Sequence, residues 1–404
     1  MPDPGSDPKR ERLNLFDPKF ASEPQPIYAD LRARCPVARQ VFRDSPVVSR
    51  YEDVVAGLRE PGLFSSAMEK EMALGTERPM IPQQIDPPEQ TRYRRLLDPH
   101  FSRRKMEALA PAIRSQANAL IDRFEARGGC EFDAEFAVPL PCGAFLSLLG
   151  LPLSDLPAFL EIKDDIIRPQ KRRGVPLLPI PEATAIRKQA GRRLYAYFER
   201  LIDERTAQPS EDLTSSLVHA EIDGERLSRS EILDICFLLL IAGLDTVTAT
   251  LGCSVARLAR HPEERARLVR DPGLIPGAVE ELLRWETPVT GVPRIATRDV
   301  TLHGCEIKRG EMVTFLLGAA NTDAEHFRDS DRVDFERERN LHLAFGAGPH
   351  RCLGSHLARM ELRVALEEWH RRIPDYAIRP GETPVYSPGI REVMHLPLVW
   401  SPRG

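Results

Sequence analysis

Apolar residues recur every three to four positions along most of the chain, the spacing that gathers them on one face of an α-helix. Residues 103–127 (RRKMEALAPAIRSQANALIDRFEAR) carry this pattern most plainly, and the Gly-Gly at 128–129 marks its stop. The same period returns over 184–207, 228–260, 262–270, 274–285 and 353–372. The first half of 228–260 is apolar on every side, which predicts a helix buried all round. Strand-like pieces are shorter: 46–50 (PVVSR), 293–310, 311–318 (EMVTFLLG) and a last pair within 375–400. The second of these predicts a hairpin turning at His303–Gly304–Cys305, with a further turn at Lys308–Gly310. No internal repeat is visible. The pattern predicts a mainly α protein with a small β part.

Prolines refine that picture. The chain holds 36 of them, clustered in the first residues, at 79–88 (PMIPQQIDPP) and at 169–181 (PQKRRGVPLLPIP). Such clusters predict long irregular loops, which in compact domains tend to be functional. Helical patterns resume at once after each cluster, with no Gly/Ser tract to act as a linker. The expected organisation is a flexible leader over 1–20 and one large domain over 21–404, although 404 residues would by length suggest two or three domains.

Composition excludes several classes. Hydrophobic residues make up 42% and charged residues 29%, as in a globular protein with a large core. Lys plus Arg (56) against Asp plus Glu (60) leaves a net charge of −4, which argues against a nucleic-acid binder. The longest apolar run, ICFLLLIAGL at 235–244, is half of the ~20 residues a bilayer span needs. The start, MPDPGSDPKRERLNLFDP, lacks the apolar core of a signal peptide, so a cytoplasmic location is expected. The 7 cysteines (35, 130, 142, 236, 253, 305 and 352) are scattered and never form a CxxC pair. This usage fits a reducing compartment and small core residues, not a zinc ribbon or disulfide framework.

Three stretches carry candidate chemistry. In FGAGPHRCLG, 345–354, Cys352 stands at the mouth of a predicted helix behind Gly346 and Gly348, with Gly354 after it. A thiol there faces free N–H groups and the positive end of the helix dipole, which lowers its pKa. That suits a nucleophile or a metal ligand, and an ordinary half-buried thiol remains a third reading. In AGLDT, 242–246, an Asp–Thr pair interrupts an apolar helix, a costly arrangement unless the pair is partnered or faces a polar cavity. Gly243 and Thr246 would let the helix open locally there, the threonine bonding back to Ala242. In EELLR, 280–284, Glu281 and Arg284 share a helix face at i,i+3, a weak signal alone.

Phe345, Gly348, Cys352 and Gly354 fill the spacing F-x-x-G-x-x-x-C-x-G, which resembles the haem-binding loop of the cytochrome P450 superfamily. AGLDT is similar to that family's A/G-G-x-D/E-T motif, and EELLR to its E-x-x-R. The resemblance runs from DPPEQTRYRR at 86–95 to SPGIREVMHLPLVW near the end, and it matches the soluble bacterial type. It implies the P450 fold, with haem b buried between two long helices. Cys352 would be the thiolate ligand of the haem iron, favouring O–O cleavage. Asp245 and Thr246 would deliver the protons that O2 activation consumes. Glu281, Arg284 and, by its offset, Arg337 would form a structural ion-pair network. Arg294, His350, Arg94 and Gln90 would hold the haem carboxylates, Gln90 standing where many relatives have histidine. Phe345, Gly346, Gly354 and Ala242 would line the cofactor.

The resemblance also implies a substrate pocket. Its roof would be 66–86 and 160–183, and its walls Leu240, Ile241, Val289, Thr290, Val292 and Ile390, closed by Gly389. These side chains are mostly apolar, so a hydrophobic substrate is expected. The run KRRG at 171–174 reads as a solvated charge run or as a receiver for an acidic group. The implied activity is a haem-thiolate monooxygenase, a monomer that hydroxylates a small-to-medium hydrophobic molecule with O2. Its electrons would come from a separate ferredoxin and its reductase, docking on Arg103, Arg104, Lys105, Arg351 and Arg359. The alternatives are a peroxide-driven hydroxylase, a reductase of small nitrogen oxides, and a haem-dependent sensor without turnover. A cysteine hydrolase using Cys352 with His350 or His356 would leave the Asp–Thr pair, Arg294 and E-x-x-R unexplained.

Overall fold

The computed structural model describes residues 12–41, 44–68, 74–76, 78–173, 178–387 and 389–402. Residues 1–11 of the expected leader lie outside the described residues. Of the rest of that leader, Arg12–Leu13 pairs as a strand with Arg39–Gln40, and Pro18–Ser22 opens a short helix capped by the Asp17 side chain. The fold is the expected one: mainly helical, with small sheets.

The described residues group into two compact units. The first takes in the chain up to Ser65, Met106–Ala137 and everything from Thr246 onward. At its heart is a mixed sheet of six strands in the order Arg12–Leu13, Val37–Gln40, Pro46–Val48, Met312–Phe315, Val292–Ala296 and Phe64–Ser65. Val48, Val313 and Phe315 are fully buried in it beneath helix Tyr51–Arg59, which contributes Val54 and Leu58. Gly57 lets that helix close on the sheet, since a Cβ there would stand 2.2 Å from the Phe315 ring. Helix Thr246–Arg260 packs between Ile275–Glu286, Ser355–Arg372 and strand Glu392–His395, and Ser355–Arg372 lies against Ala110–Ile121. The hairpin expected at 293–310 is present as Val300–Leu302 and Cys305–Ile307, with His303 and Gly304 at positive φ.

The second unit is Ser66–Lys105 and Val138–Asp245. Its long helix Ile180–Ala207 is flanked by Leu156–Ile167, Leu213–Val218 and Arg229–Gly243. Ser228 and Glu231 form a reciprocal cap at the start of the last of these, with bonds of 2.7 and 3.3 Å.

Several expectations need correction. The helix over 103–127 is three pieces, Arg103–Glu107, Ala110–Ile121 and Glu125–Arg127, with Pro111 in the first turn of the middle one. The piece 311–318 is a strand only to Phe315, then turns into helix Leu317–Asn321. Helices Pro24–Arg34, Glu89–Leu97, Pro139–Leu149 and Leu156–Ile167 are not among the expected ones; they start at or beside prolines, which suit the first helical turn. Residues 229–260 are long and apolar enough to cross a membrane by length and composition, beyond the ten-residue run judged from sequence. Some 78% of the most apolar window is buried inside the protein, as in a core helix.

Candidate functional site

Cys352 is exposed, whereas Cys130, Cys142, Cys236 and Cys253 are buried and Cys35 and Cys305 half-buried. The loop before it is closed by backbone bonds: Gly346 N donates to Leu343 O (2.8 Å), Arg351 N to Gly348 O (3.1 Å) and Cys352 N to Phe345 O (2.8 Å). Two left-handed residues make this path, Gly346 (φ 69°) and Gly348 (φ 68°). Their surroundings differ. A Cβ on Gly348 would stand 2.3 Å from Leu58 O, whereas one on Gly346 would meet nothing nearer than His350 O at 3.9 Å. Past the cysteine, a Cβ on Gly354 would meet no atom within 4 Å, so the chain there borders open space. Helix Ser355–Arg372 begins one residue later.

Two adjacent carboxylates on helix Ile275–Glu286 anchor both ends of this loop. Glu281, wholly buried, accepts from Arg284 (2.9 and 2.8 Å) and Arg337 (3.0 and 3.1 Å), so the three residues singled out in the sequence do meet. Arg284 spends its other N–H groups on the carbonyls of Asn321 (2.8 Å), Ser330 (3.0 Å) and Arg332 (2.7 Å). Asn340 Nδ2 also donates to Glu281 (2.9 Å), and the Asn321 side chain accepts from Leu343 N (2.6 Å). Glu280 takes a forked pair from Arg359 (2.7 and 2.8 Å) and lies 3.2 Å from His342 Nε2. The Arg359 guanidinium covers the Phe345 ring at 4.5 Å. Burial would raise the Glu280 pKa, but the bonds from His342 and Arg359 outweigh it and hold it at about 2. Sequence reasoning missed Asn340, Asn321, Glu280 and His342, and it read Arg359 only as a docking residue.

The acid of the Asp–Thr pair belongs to the second unit. The long helix is interrupted at Leu244 and Asp245, and Gly243 is required there because a Cβ would stand 2.6 Å from the Phe145 ring. Leu244 O is taken by Cys142 Sγ at 3.2 Å. Asp245 is fully buried and held by two cations: Lys163 Nζ at 2.9 Å, and Arg168 through Nη1 at 2.8 Å and Nη2 at 2.7 Å. Burial alone would raise its pKa; the Arg168 and Lys163 charges override that and hold it below the ordinary carboxylate range. Lys163 also touches Asp164 (2.9 Å), whose other oxygen meets Lys171 (3.1 Å), so a line of alternating charges runs from Asp245 to a partly exposed lysine. Thr246, half-buried, starts helix Thr246–Arg260, and its carbonyl accepts from Thr250 Oγ1 (2.8 Å).

The remaining candidates fall into separate places. Arg294 is buried on strand Val292–Ala296, paired with Val313, and donates to Pro293 O (2.7 Å). His350 is half-buried in the turn before Cys352. Gln90 and Arg94 share one face of helix Glu89–Leu97; Gln90 is buried, and Arg94 lies 2.8 Å from Asp98. Of the expected pocket residues, Val289 and Ile390 form a β-bridge, Thr290 Oγ1 reaches Gly389 O (3.3 Å), and Val292 begins the neighbouring strand. Leu240 and Ile241 are buried in the second unit, and Ala242 beside them is exposed. In the run 171–174, Lys171 pairs with Asp164 and Arg173 with Glu182 (3.2 Å), while Gly174 lies outside the described residues, as do 69–73 and 77 of the expected roof and 175–177. Missed in the roof was Arg78, which forks onto the buried Asp234 (2.8 and 3.0 Å) beside the Tyr195 hydroxyl (2.7 Å).

Comparison with known proteins fits this arrangement to one family. The profile described as Cytochrome P450 matches residues 170–271 and 274–370. The chain is 39% identical to the mycinamicin IV hydroxylase/epoxidase of Micromonospora griseorubida, over 92% of this chain and 94% of that protein. It is 34% identical to the vitamin D(3) 25-hydroxylase of Pseudonocardia autotrophica, over 97% of this chain and 98% of the other. Among solved structures, CYP109E1 from Bacillus megaterium in complex with testosterone superposes with a TM-score of 0.85 at 29% identity, covering 95% of this chain and 99% of its own.

Proposed function

The chain belongs to the cytochrome P450 family, as a haem-binding monooxygenase, and from that premise we propose that Cys352 holds the haem iron while Asp245 and Thr246 handle the protons. The observation that carries this reading is the exposed residue Cys352, on a loop closed by its own backbone and anchored to Glu280 and Glu281.

The donor set suits an iron porphyrin. Cys352 supplies one soft anionic ligand, open space borders Gly354, and Phe345 and Gly346 complete the loop around it. His350 and Arg294, and in the second unit Gln90 and Arg94, are the candidate donors to the haem carboxylates, guanidinium groups giving forked bonds, and Ala242 is a candidate lining residue. When bound, the haem supplies an iron at which O2 is cleaved and one oxygen atom passes to substrate, thiolate donation assisting the cleavage. The remaining chemistry is the protein's. The Glu281–Arg284–Arg337 network and the Glu280–Arg359 pair keep the Cys352 loop in one place. Asp245, an anion between Lys163 and Arg168, takes up a proton only as one of those contacts loosens. The Thr246 hydroxyl, next along the chain, passes it on. This acid–alcohol pair favours O2 with two electrons over a peroxide-driven reaction.

The substrate would be hydrophobic, as the mostly apolar Val289, Thr290, Val292 and Ile390, and Leu240 and Ile241, suggest. Relatives named for vitamin D(3), for a steroid and for mycinamicin IV, and a neighbour holding testosterone, support a bulky one. Electrons would arrive from a ferredoxin and its reductase, with exposed Arg351 beside the cysteine as one docking cation.

The test is turnover of vitamin D(3) and testosterone under isotopically labelled O2, with ferredoxin, reductase and reduced nicotinamide cofactor. One labelled oxygen per product molecule, with Thr246→Ala consuming reductant but yielding far less product, is expected. Product formed only with added peroxide, or unchanged product per reductant in Thr246→Ala, would refute the reading.

A further inference from the structure

Arg391 follows Ile390 directly, and its side chain has no part in the chemistry above. It is buried, 4% exposed, and its guanidinium reaches three places at once. Nη1 meets the Glu286 carboxylate and, at 3.2 Å, the Glu286 carbonyl at the end of helix Ile275–Glu286. Nε donates to Ala21 O (2.7 Å) and Nη2 to Ser22 O (3.3 Å), the free carbonyls at the end of helix Pro18–Ser22. The guanidinium also lies 5.1 Å from the centre of the Tyr386 ring.

The Arg391 backbone is fixed just as firmly. Its N–H donates to Pro288 O (2.8 Å), and its carbonyl accepts from Cys253 Sγ (3.4 Å) on helix Thr246–Arg260. Between these anchors lies the Val289–Ile390 bridge, continued by the bond from Thr290 Oγ1 to Gly389 O, while Thr290 O accepts from Gly318 N (3.1 Å). A wall built of one isolated bridge has no ladder to hold its register.

We propose that Arg391 is a positioning residue for the substrate wall: by tying Glu286 to the carbonyls of Ala21 and Ser22, it sets where Ile390 stands against Val289. Helix Pro18–Ser22, far from the chemistry in sequence, thereby becomes part of what selects substrate. The fixed fork of a guanidinium suits this. A lysine puts its donors on a single nitrogen and cannot reproduce the three positions from which Nε, Nη1 and Nη2 reach Ala21, Glu286 and Ser22. The proposal rests on Val289, Thr290 and Ile390 forming that wall.

The test uses the haem-loaded full chain and two nitrogen ligands, imidazole and 4-phenylimidazole, whose Kd values are read from the shift of the haem absorption band. Both bind through the same nitrogen, so the ratio of their Kd values reports the wall and not the iron. In Ile390→Ala, which tests the wall itself, the ratio should change about threefold or more. Arg391→Lys should change it by a similar factor with the imidazole Kd unaltered, and Glu286→Gln should move it in the same direction, giving a second route if Arg391→Lys folds poorly. A ratio that moves in Ile390→Ala but in neither Arg391→Lys nor Glu286→Gln overturns the positioning role and leaves the wall intact. A ratio unmoved in Ile390→Ala overturns the wall, and the positioning role with it. A lowered Tm with an unaltered ratio would make Arg391 merely structural and also overturn the proposal.

Discussion

Gly346 and Gly348 offer a matched pair of perturbations on the cysteine loop. Both are left-handed, at φ 69° and 68°, so alanine at either incurs the same backbone strain, about 1–2 kcal/mol. Only at Gly348 does the new Cβ also collide, standing 2.3 Å from Leu58 O and 3.1 Å from Arg59 Cα on helix Tyr51–Arg59. Relieving that contact requires roughly 1 Å of backbone movement between loop and helix, an overpacking cost of about 1–3 kcal/mol. Gly346→Ala should therefore lose about 1–2 kcal/mol and Gly348→Ala about 2–5. At roughly 2 °C per kcal/mol for a large chain, Tm should fall by about 2–4 °C in the first and 4–10 °C in the second. The assay is thermal unfolding of the two haem-loaded variants at one scan rate, with the fraction of protein retaining haem measured alongside. Gly348→Ala should also be the poorer at retaining haem, since its loop must leave helix Tyr51–Arg59. A Gly348→Ala protein as stable as Gly346→Ala would refute the claim that this helix fixes the height of the cysteine loop.

Three further outcomes follow from the buried charges. Arg168→Met leaves Asp245 with Lys163 alone in a fully buried setting; stability should drop by about 3 kcal/mol in urea unfolding, and the loss should shrink when Asp245 is also changed to Asn. Asn340→Ala removes one bond to Glu281 and should lower stability by about 1 kcal/mol without altering the spectrum of the bound haem; a spectral change would mean that Asn340 acts on the ligand and not on the loop. His370 is buried against Leu366 O and Tyr376, and burial lowers its pKa to about 4. The unfolded chain therefore binds a proton that the folded one refuses between pH 6.5 and 4, so stability falls as pH is lowered through that window, by roughly 3 kcal/mol at its foot. His370→Gln should remove the imidazole's share of this fall, and an unchanged slope in urea unfolding would refute the assignment.

What the sequence reveals depends on how far apart the partners are. Helix Pro262–Arg270 is legible residue for residue, because an uninterrupted amphipathic period needs only local information. The interruption at 244–245 is legible too: a glycine and an Asp–Thr pair in an apolar helix announce it. Helix Pro139–Leu149 is hidden, since two prolines stand in its first turn and its residues are apolar nearly all round, so no amphipathic period marks it. In the site, Glu281 and Arg284 are neighbours on one turn and are easily paired. His342 and Arg359, 62 and 79 residues beyond Glu280, follow no period. Burial of Asp245 demands a cation, but nothing local points to Lys163 and Arg168, 82 and 77 residues away.

The account stands most directly on Cys352. The measurement is the absorption difference spectrum of the reduced protein with carbon monoxide, for the native chain and for Cys352→Ala. The native protein, fully loaded with haem, should show the red-shifted Soret band of a thiolate-ligated iron, and Cys352→Ala should lose that band. The band's absence from the loaded native protein, or its survival in Cys352→Ala, would contradict the assignment of Cys352 as the iron ligand.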